Sequence, residues 1–150
     1  MDEKNKKIYL LEIGARGGGA NISSHIIPVL TNLDVNNFIL DNSLGINNKF
    51  ILNKRYNTAA GYISFYLPKG IISELSGLEE IDNFPNILKH NLSGLKIGMH
   101  AKGLEDKSSR KIIIIASNSR NGLLNIIEEV KNIINIKITT KRGQKNIIWD

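Results

Sequence analysis

The chain contains no cysteine in its 150 residues. Disulfides, a cysteine nucleophile and thiolate metal sites are therefore excluded. No apolar run reaches the roughly 18 residues that a membrane-spanning helix needs, so no membrane partner is expected. The first seven residues, Met1–Lys7, are polar, and no apolar core of a secretory signal follows them. A cytoplasmic protein is the expectation. Acidic residues are the minority: 14 Asp and Glu stand against 20 Lys and Arg, for a net charge of +6. A basic balance can mark anionic partners. Here Ile, Asn and Lys are abundant together, as AT-rich coding produces. The lysines are scattered apart from Lys4-Asn5-Lys6-Lys7 and Lys141-Arg142-Gly143-Gln144-Lys145. Those terminal runs read as solvated charge, and a nucleic-acid partner is disfavoured.

Hydrophobic residues make up 41% of the chain, enough for one core or for two small subdomains sharing one. The richest local pattern lies near the start. An apolar run, Ile8-Tyr9-Leu10-Leu11, leads into Glu12-Ile13-Gly14-Ala15-Arg16-Gly17-Gly18-Gly19, and Ile22-Ser23-Ser24-His25-Ile26-Ile27 follows. This reads as strand, glycine loop and helix. Period-2 geometry puts Glu12, Gly14 and Arg16 on one face of the strand and Leu11, Ile13 and Ala15 on the other. The polar face can line a cleft while the apolar face packs. Mg²⁺ takes oxygen ligands, usually with one or two protein carboxylates, and Glu12 suits that role. Arg16 offers a planar fork of donors matched to phosphate oxygens. Gly17, Gly18 and Gly19 allow backbone N–H groups to approach an anion closely, and the helix start adds its positive dipole end. Asn21 and Ser23, beside that helix start, can donate to phosphate or cap the helix.

The segment Glu12–Gly19 resembles the late metal- and phosphate-binding motif of ATP-grasp enzymes. The variety it resembles is the carboxylate–amine ligases related to the large subunit of carbamoyl-phosphate synthase. The family motif often reads Glu-x-Asn-x-Arg; this chain has Gly14 at the Asn position, which supplies no side-chain ligand. The resemblance implies ATP and Mg²⁺ as cofactors, Glu12 as a metal ligand, and Arg16 as a catalytic and phosphate-binding residue. It places Gly17, Gly18, Gly19 and Asn21 around the nucleotide phosphates. The complete enzyme would phosphorylate a carboxylate, and an amine would attack the acyl phosphate. Ala59–Gly70 resembles the opening of the family's C-terminal subdomain, and Leu95–Gly98 and Arg110–Ile115 resemble later strands. The resemblance thus extends over most of the chain.

The implied fold is α+β, the C-terminal part of an ATP-grasp fold, with a mixed or antiparallel sheet and flanking helices. The N-terminal and lid subdomains, which carry the family's adenine contacts and phosphate lysines, have no counterpart. Met1 would fall inside a hairpin whose first strand precedes Ile8–Ile13. The expectation is a fragment or subunit, inert alone, whose partner is an N-terminal ATP-grasp half. Its small-molecule substrates would be a carboxylate and an amine. An open strand edge and unpartnered helix faces lead to an expected homodimer. The alternative is a non-catalytic protein- or anion-binding module that keeps the fold.

Two segments follow: residues 1–55 as the remnant of the ATP-binding domain, and residues 56–150 as an α+β subdomain. In the first, a helix is expected from Ile22 to Thr31, bent or limited by Pro28. A second runs to Leu44, capped by Asp34 and stopped by Gly45. In the second, Gly61–Leu67 and Gly70–Leu75 flank a Pro-Lys-Gly turn and are expected to pair as a hairpin. Leu78–Asn83 reads as a short helix, Ile87–Leu92 as an edge strand and Gly94–Ser109 as loop. Ile112–Ala116 reads as a buried central strand. Ser119 or Asn118 caps an amphipathic helix over Arg120–Ile134, and Ile136–Thr140 closes as a strand before a basic tail. His25 packs or contacts substrate, His90 and His100 have no metal-ligand spacing, and Arg110 reads as an anchor.

Overall fold

The computed structural model describes residues 19–46 and 57–150. Its order begins with a π-helical segment Ile22–Ile26, α1 (Ile27–Thr31) and α2 (Val35–Ser43). The strands β1 (Ala59–Tyr66) and β2 (Gly70–Ser76) follow, then α3 (Leu78–Asp82), β3 (Ile87–His90) and β4 (His100–Ala101). A 3₁₀ turn over Lys107–Ser109 leads into β5 (Arg110–Ser117), α4 (Arg120–Ile133), β6 (Asn135–Thr140), β7 (Gly143–Asn146) and β8 (Ile148–Trp149). Two four-stranded sheets result, ordered β3-β5-β1-β8 and β4-β2-β6-β7. Every described pairing is antiparallel. The α+β expectation holds.

The local signals act as the sequence implies. The Asp34 carboxylate accepts from the Asn37 N–H at 3.0 Å and caps α2, and Gly45 takes the left-handed conformation (φ 75°) just past its end. Ser119, not Asn118, caps α4 by accepting from the Gly122 N–H at 3.0 Å. Pro28 lies in the first turn of α1, just past the end of the π-helical segment. It has no N–H to donate, and the ladder changes register around it: the Ile27 N–H reaches back to the Ile22 carbonyl, a π-type bond, and α-type turns follow.

The expected Gly61–Leu67/Gly70–Leu75 hairpin does not form. Both strands exist, but they lie in different sheets. Leu67 is buried at the crossing, and its N–H donates to the Ser109 carbonyl at 2.9 Å. The chain thus leaves one sheet after Tyr66 and enters the other at Gly70. The β1 ladder pairs instead with β5, from Ala59 opposite Ser117 to Tyr66 opposite Arg110. The expected basic tail is also corrected: Gly143–Asn146 extends the second sheet and Ile148–Trp149 the first. The expected Gly94–Ser109 loop contains the short β4 and the 3₁₀ turn.

One core joins the layers. Phe65, Ile113 and Ile115 from the first sheet meet Ile72, Ile136 and Ile138 from the second, with Ile81 of α3 and Val130 of α4. Alternation explains the faces: Ile63 lies opposite Ile113 and Gly61 opposite Ile115. The bare Gly61 position lies under Leu123 of α4. Ile114, on the other face of β5, is buried as well. The Ile22–Ile26 segment contacts β5, and α1 contacts β1. The candidate helix after the glycine loop is thereby fixed against the central strands.

Candidate functional site

The site singled out from sequence spans Glu12 to Asn21. Glu12, Arg16, Gly17 and Gly18 lie outside the described residues, as does the Ile8–Ile13 strand. Gly19 and Asn21 are described. Residues Gly19–Asn21 form a turn, and the Ile22 N–H donates to the Gly19 carbonyl at 3.2 Å. Ala20 and Asn21 both take left-handed backbone angles, φ 55° and 56°. Asn tolerates this conformation; a non-glycine residue such as Ala20 adopts it at a cost of about 1 kcal/mol. Asn21 is exposed and its side chain makes no capping bond to the helix. Its carbonyl accepts from the His25 N–H at 3.0 Å and from the Ser24 hydroxyl at 3.3 Å.

A Cβ built on Gly19 meets nothing within 4 Å. No Asp or Glu lies between Gly19 and Thr31. Among the described residues, no group of three His, Asp or Glu side chains gathers to hold a metal. His25 does not stand free: its Nδ1 lies 2.8 Å from the Ser24 hydroxyl.

The other candidates have structural roles. His90 packs between elements, with Nε2 2.9 Å from the Asp82 carboxylate and Nδ1 accepting from the Leu92 N–H at 3.3 Å. These contacts assign the N–H to Nε2 in the neutral ring. Arg110 anchors the tail, as its strand-start position implied. Its guanidinium donates to the Asp150 carboxylate at 2.9 Å and to the nearly buried Ser64 hydroxyl at 3.1 Å. The rings of Tyr62 and Tyr66 flank it at 6.0 and 5.8 Å. Sequence reasoning missed the Ser64–Asp150 half of this cluster, because the two residues lie 86 positions apart.

The described chain has an α+β, ATP-grasp-like fold. It resembles the crystal structure of an L-amino acid ligase from Bacillus licheniformis, with a TM-score of 0.64 and 20% sequence identity over 88% of this chain. The chain spans about a third of that enzyme, 33% of its length. No family model matches the sequence, and no curated protein matches it. No helix among the described residues is long and apolar enough to cross a membrane.

Proposed function

We propose that the chain is the C-terminal part of an ATP-dependent carboxylate–amine ligase, of the kind related to the carbamoyl-phosphate synthase large subunit. The observation that carries this reading is the fold shared with an L-amino acid ligase across 88% of the chain. The Glu12–Gly19 sequence supports it from an independent direction. In this reading residues 1–55 close the ATP-binding domain and residues 56–150 form its C-terminal subdomain. Bound Mg-ATP would supply the phosphoryl group that activates the carboxylate for attack by an amine. Glu12 ligates Mg²⁺ and Arg16 neutralises phosphoryl charge. The Gly17–Gly19 backbone and the Asn21 carboxamide orient the phosphates.

One carboxylate and one arginine are too few for turnover, because phosphoryl transfer rests on positioning and charge stabilisation by several groups. The partner is an N-terminal ATP-grasp half. Ile39, Leu40 and Leu44, on and just past α2, are 58%, 56% and 68% exposed, which supports a surface that meets further protein. The test is phosphate release from Mg-ATP with an amino acid and an amine present. The chain alone is expected to show none. Joining it to an N-terminal ATP-grasp half, encoded beside it or fused upstream, is expected to give turnover that Glu12→Ala abolishes. Turnover by the chain alone, or turnover indifferent to Glu12, contradicts the reading.

A further inference from the structure

A second concave surface lies on the β4-β2-β6-β7 sheet, at the start of β2 and the end of β6. It is an open cleft of about 1110 Å³ with Ile71 and Thr139 in its lining. Six basic side chains line it: Lys69, His100, Lys102, Lys141, Arg142 and Lys145. No acidic side chain does. Among the described residues only Lys102 of the six has a carboxylate partner, Asp106 at 3.2 Å. Lys69, Lys141, Arg142 and Lys145 line the cleft with no carboxylate within ion-pair distance among the described residues.

Three separate segments bring these cations together, and close backbone packing holds them there. A Cβ on Gly70 would collide with the Thr139 carbonyl, so only glycine lets β2 approach β6 at this point. Gly103 has φ 92°, and a Cβ there would stand 3.0 Å from the Lys69 Cβ; this seats the Lys102 loop against the Lys69 turn. On the far side, the Thr140 hydroxyl donates to the Gly143 carbonyl at 2.8 Å and accepts the Arg142 N–H at 3.1 Å. That turn fixes the root of Lys141 and Arg142. A cleft lined by one sign of charge focuses its field and concentrates counter-ions. Like charges held close are unfavourable until an anion enters.

We propose that this cleft is a binding site for a small ligand carrying several phosphate groups. It shares no residue with the Glu12–Asn21 segment and does not rest on the ligase reading. The cleft volume, about 1110 Å³, lies just above the range of small-molecule pockets, typically about 300–1,000 Å³, so it has room for a small ligand. No Phe, Tyr or Trp lines it, so it lacks the stacking surfaces that single-stranded nucleic acid uses. Lys141, Arg142 and Lys145 stay exposed, as the solvated-charge reading implies, and the β6–β7 turn places them along one wall of the cleft.

The test is calorimetric titration of inorganic tripolyphosphate into the intact chain at physiological salt. Lys141→Gln/Arg142→Gln/Lys145→Gln is expected to weaken binding by about tenfold or more, from the loss of charge-assisted hydrogen bonds. Lys89→Gln/Arg120→Gln, which removes exposed cations on β3 and at the start of α4, is expected to change Kd less than about twofold, as distant surface charges are screened. Circular dichroism and thermal unfolding establish that the variants fold; if the triple variant does not, Lys69→Gln replaces it with the same expected direction. Equal weakening by the distant pair would show unspecific charge attraction and overturn the proposal, as would the absence of binding. Loss of binding in Arg16→Ala with none in the cleft variants would assign the phosphate to the glycine loop and also overturn it. A single-stranded RNA that binds through the cleft more tightly than tripolyphosphate would replace the small ligand with a nucleic acid.

Discussion

Arg110 ties together residues that the sequence keeps far apart. Its guanidinium joins Ser64 on β1 to Asp150 after β8, and Ser64 also donates to Asp150 at 2.8 Å. Arg110→Ala leaves a nearly buried hydroxyl and a carboxylate without their cation. With the side chain 33% exposed, solvent moderates the loss, and the expected destabilisation is about 1–2 kcal/mol, read by denaturant unfolding. Arg110→Lys is expected to recover only part, since an ammonium cannot present the same planar fork. Asp106 is a second local case. Its carboxyl is held down to about 2 from 3.8 by the Ser108 side chain, the Ser108 N–H and Lys102. A depressed folded value means the ionised form stabilises the fold above about 3.8 and that this contribution is lost as pH falls through about 2. An NMR titration of the Asp106 carboxyl should show its midpoint near 2, and Ser108→Ala should raise it. A wild-type midpoint at the ordinary value would contradict this assignment. Neither cluster could be read whole from sequence: Asp106 and Ser108 are neighbours, but Arg110, Ser64 and Asp150 meet only through sheet register.

At the scale of elements, legibility followed locality. The α2 and α4 caps and the left-handed Gly45 depend on residues within a turn, and each was visible as a pattern. Ser119→Ala is expected to cost about 1 kcal/mol, with Ser119→Asp retaining most of the stability, measured by thermal unfolding. The Ile112–Ala116 run announced a central strand, and β5 lies between β3 and β1 in its sheet. Pairing was not legible. The turn Pro68-Lys69-Gly70 looked like a hairpin because two strand-like runs flank it, but burial of Leu67 and the bond to Ser109 carry the chain between sheets. β7 escaped detection because Gly143–Asn146 is fully exposed and has no apolar alternation. Ile147 and Trp149 pack on the core, with the Trp149 ring edge-on to Phe65 at 5.0 Å. They carried too little pattern beside a basic run to be read as strand. Of the candidate site only Gly19 and Asn21 fall among the described residues, and the left-handed Ala20–Asn21 turn and the π-helical start carried no local pattern to read.

At the scale of the whole molecule, the two proposed anion sites share one α+β frame. The Gly19–Asn21 turn leads into a helix seated against β5 and β1, and the cationic cleft lies on the other sheet. The ligase reading proposed above concerns the first, and the second requires no nucleotide chemistry. The central claim is that Glu12 and Arg16 form half of an ATP-grasp site. It is tested most directly by calorimetric titration of Mg-ADP into the chain and into its Glu12→Ala and Arg16→Ala variants, with folding verified by circular dichroism. The account predicts Mg-dependent heat in the wild type that both variants lose. Heat unchanged by Glu12→Ala and Arg16→Ala would contradict it.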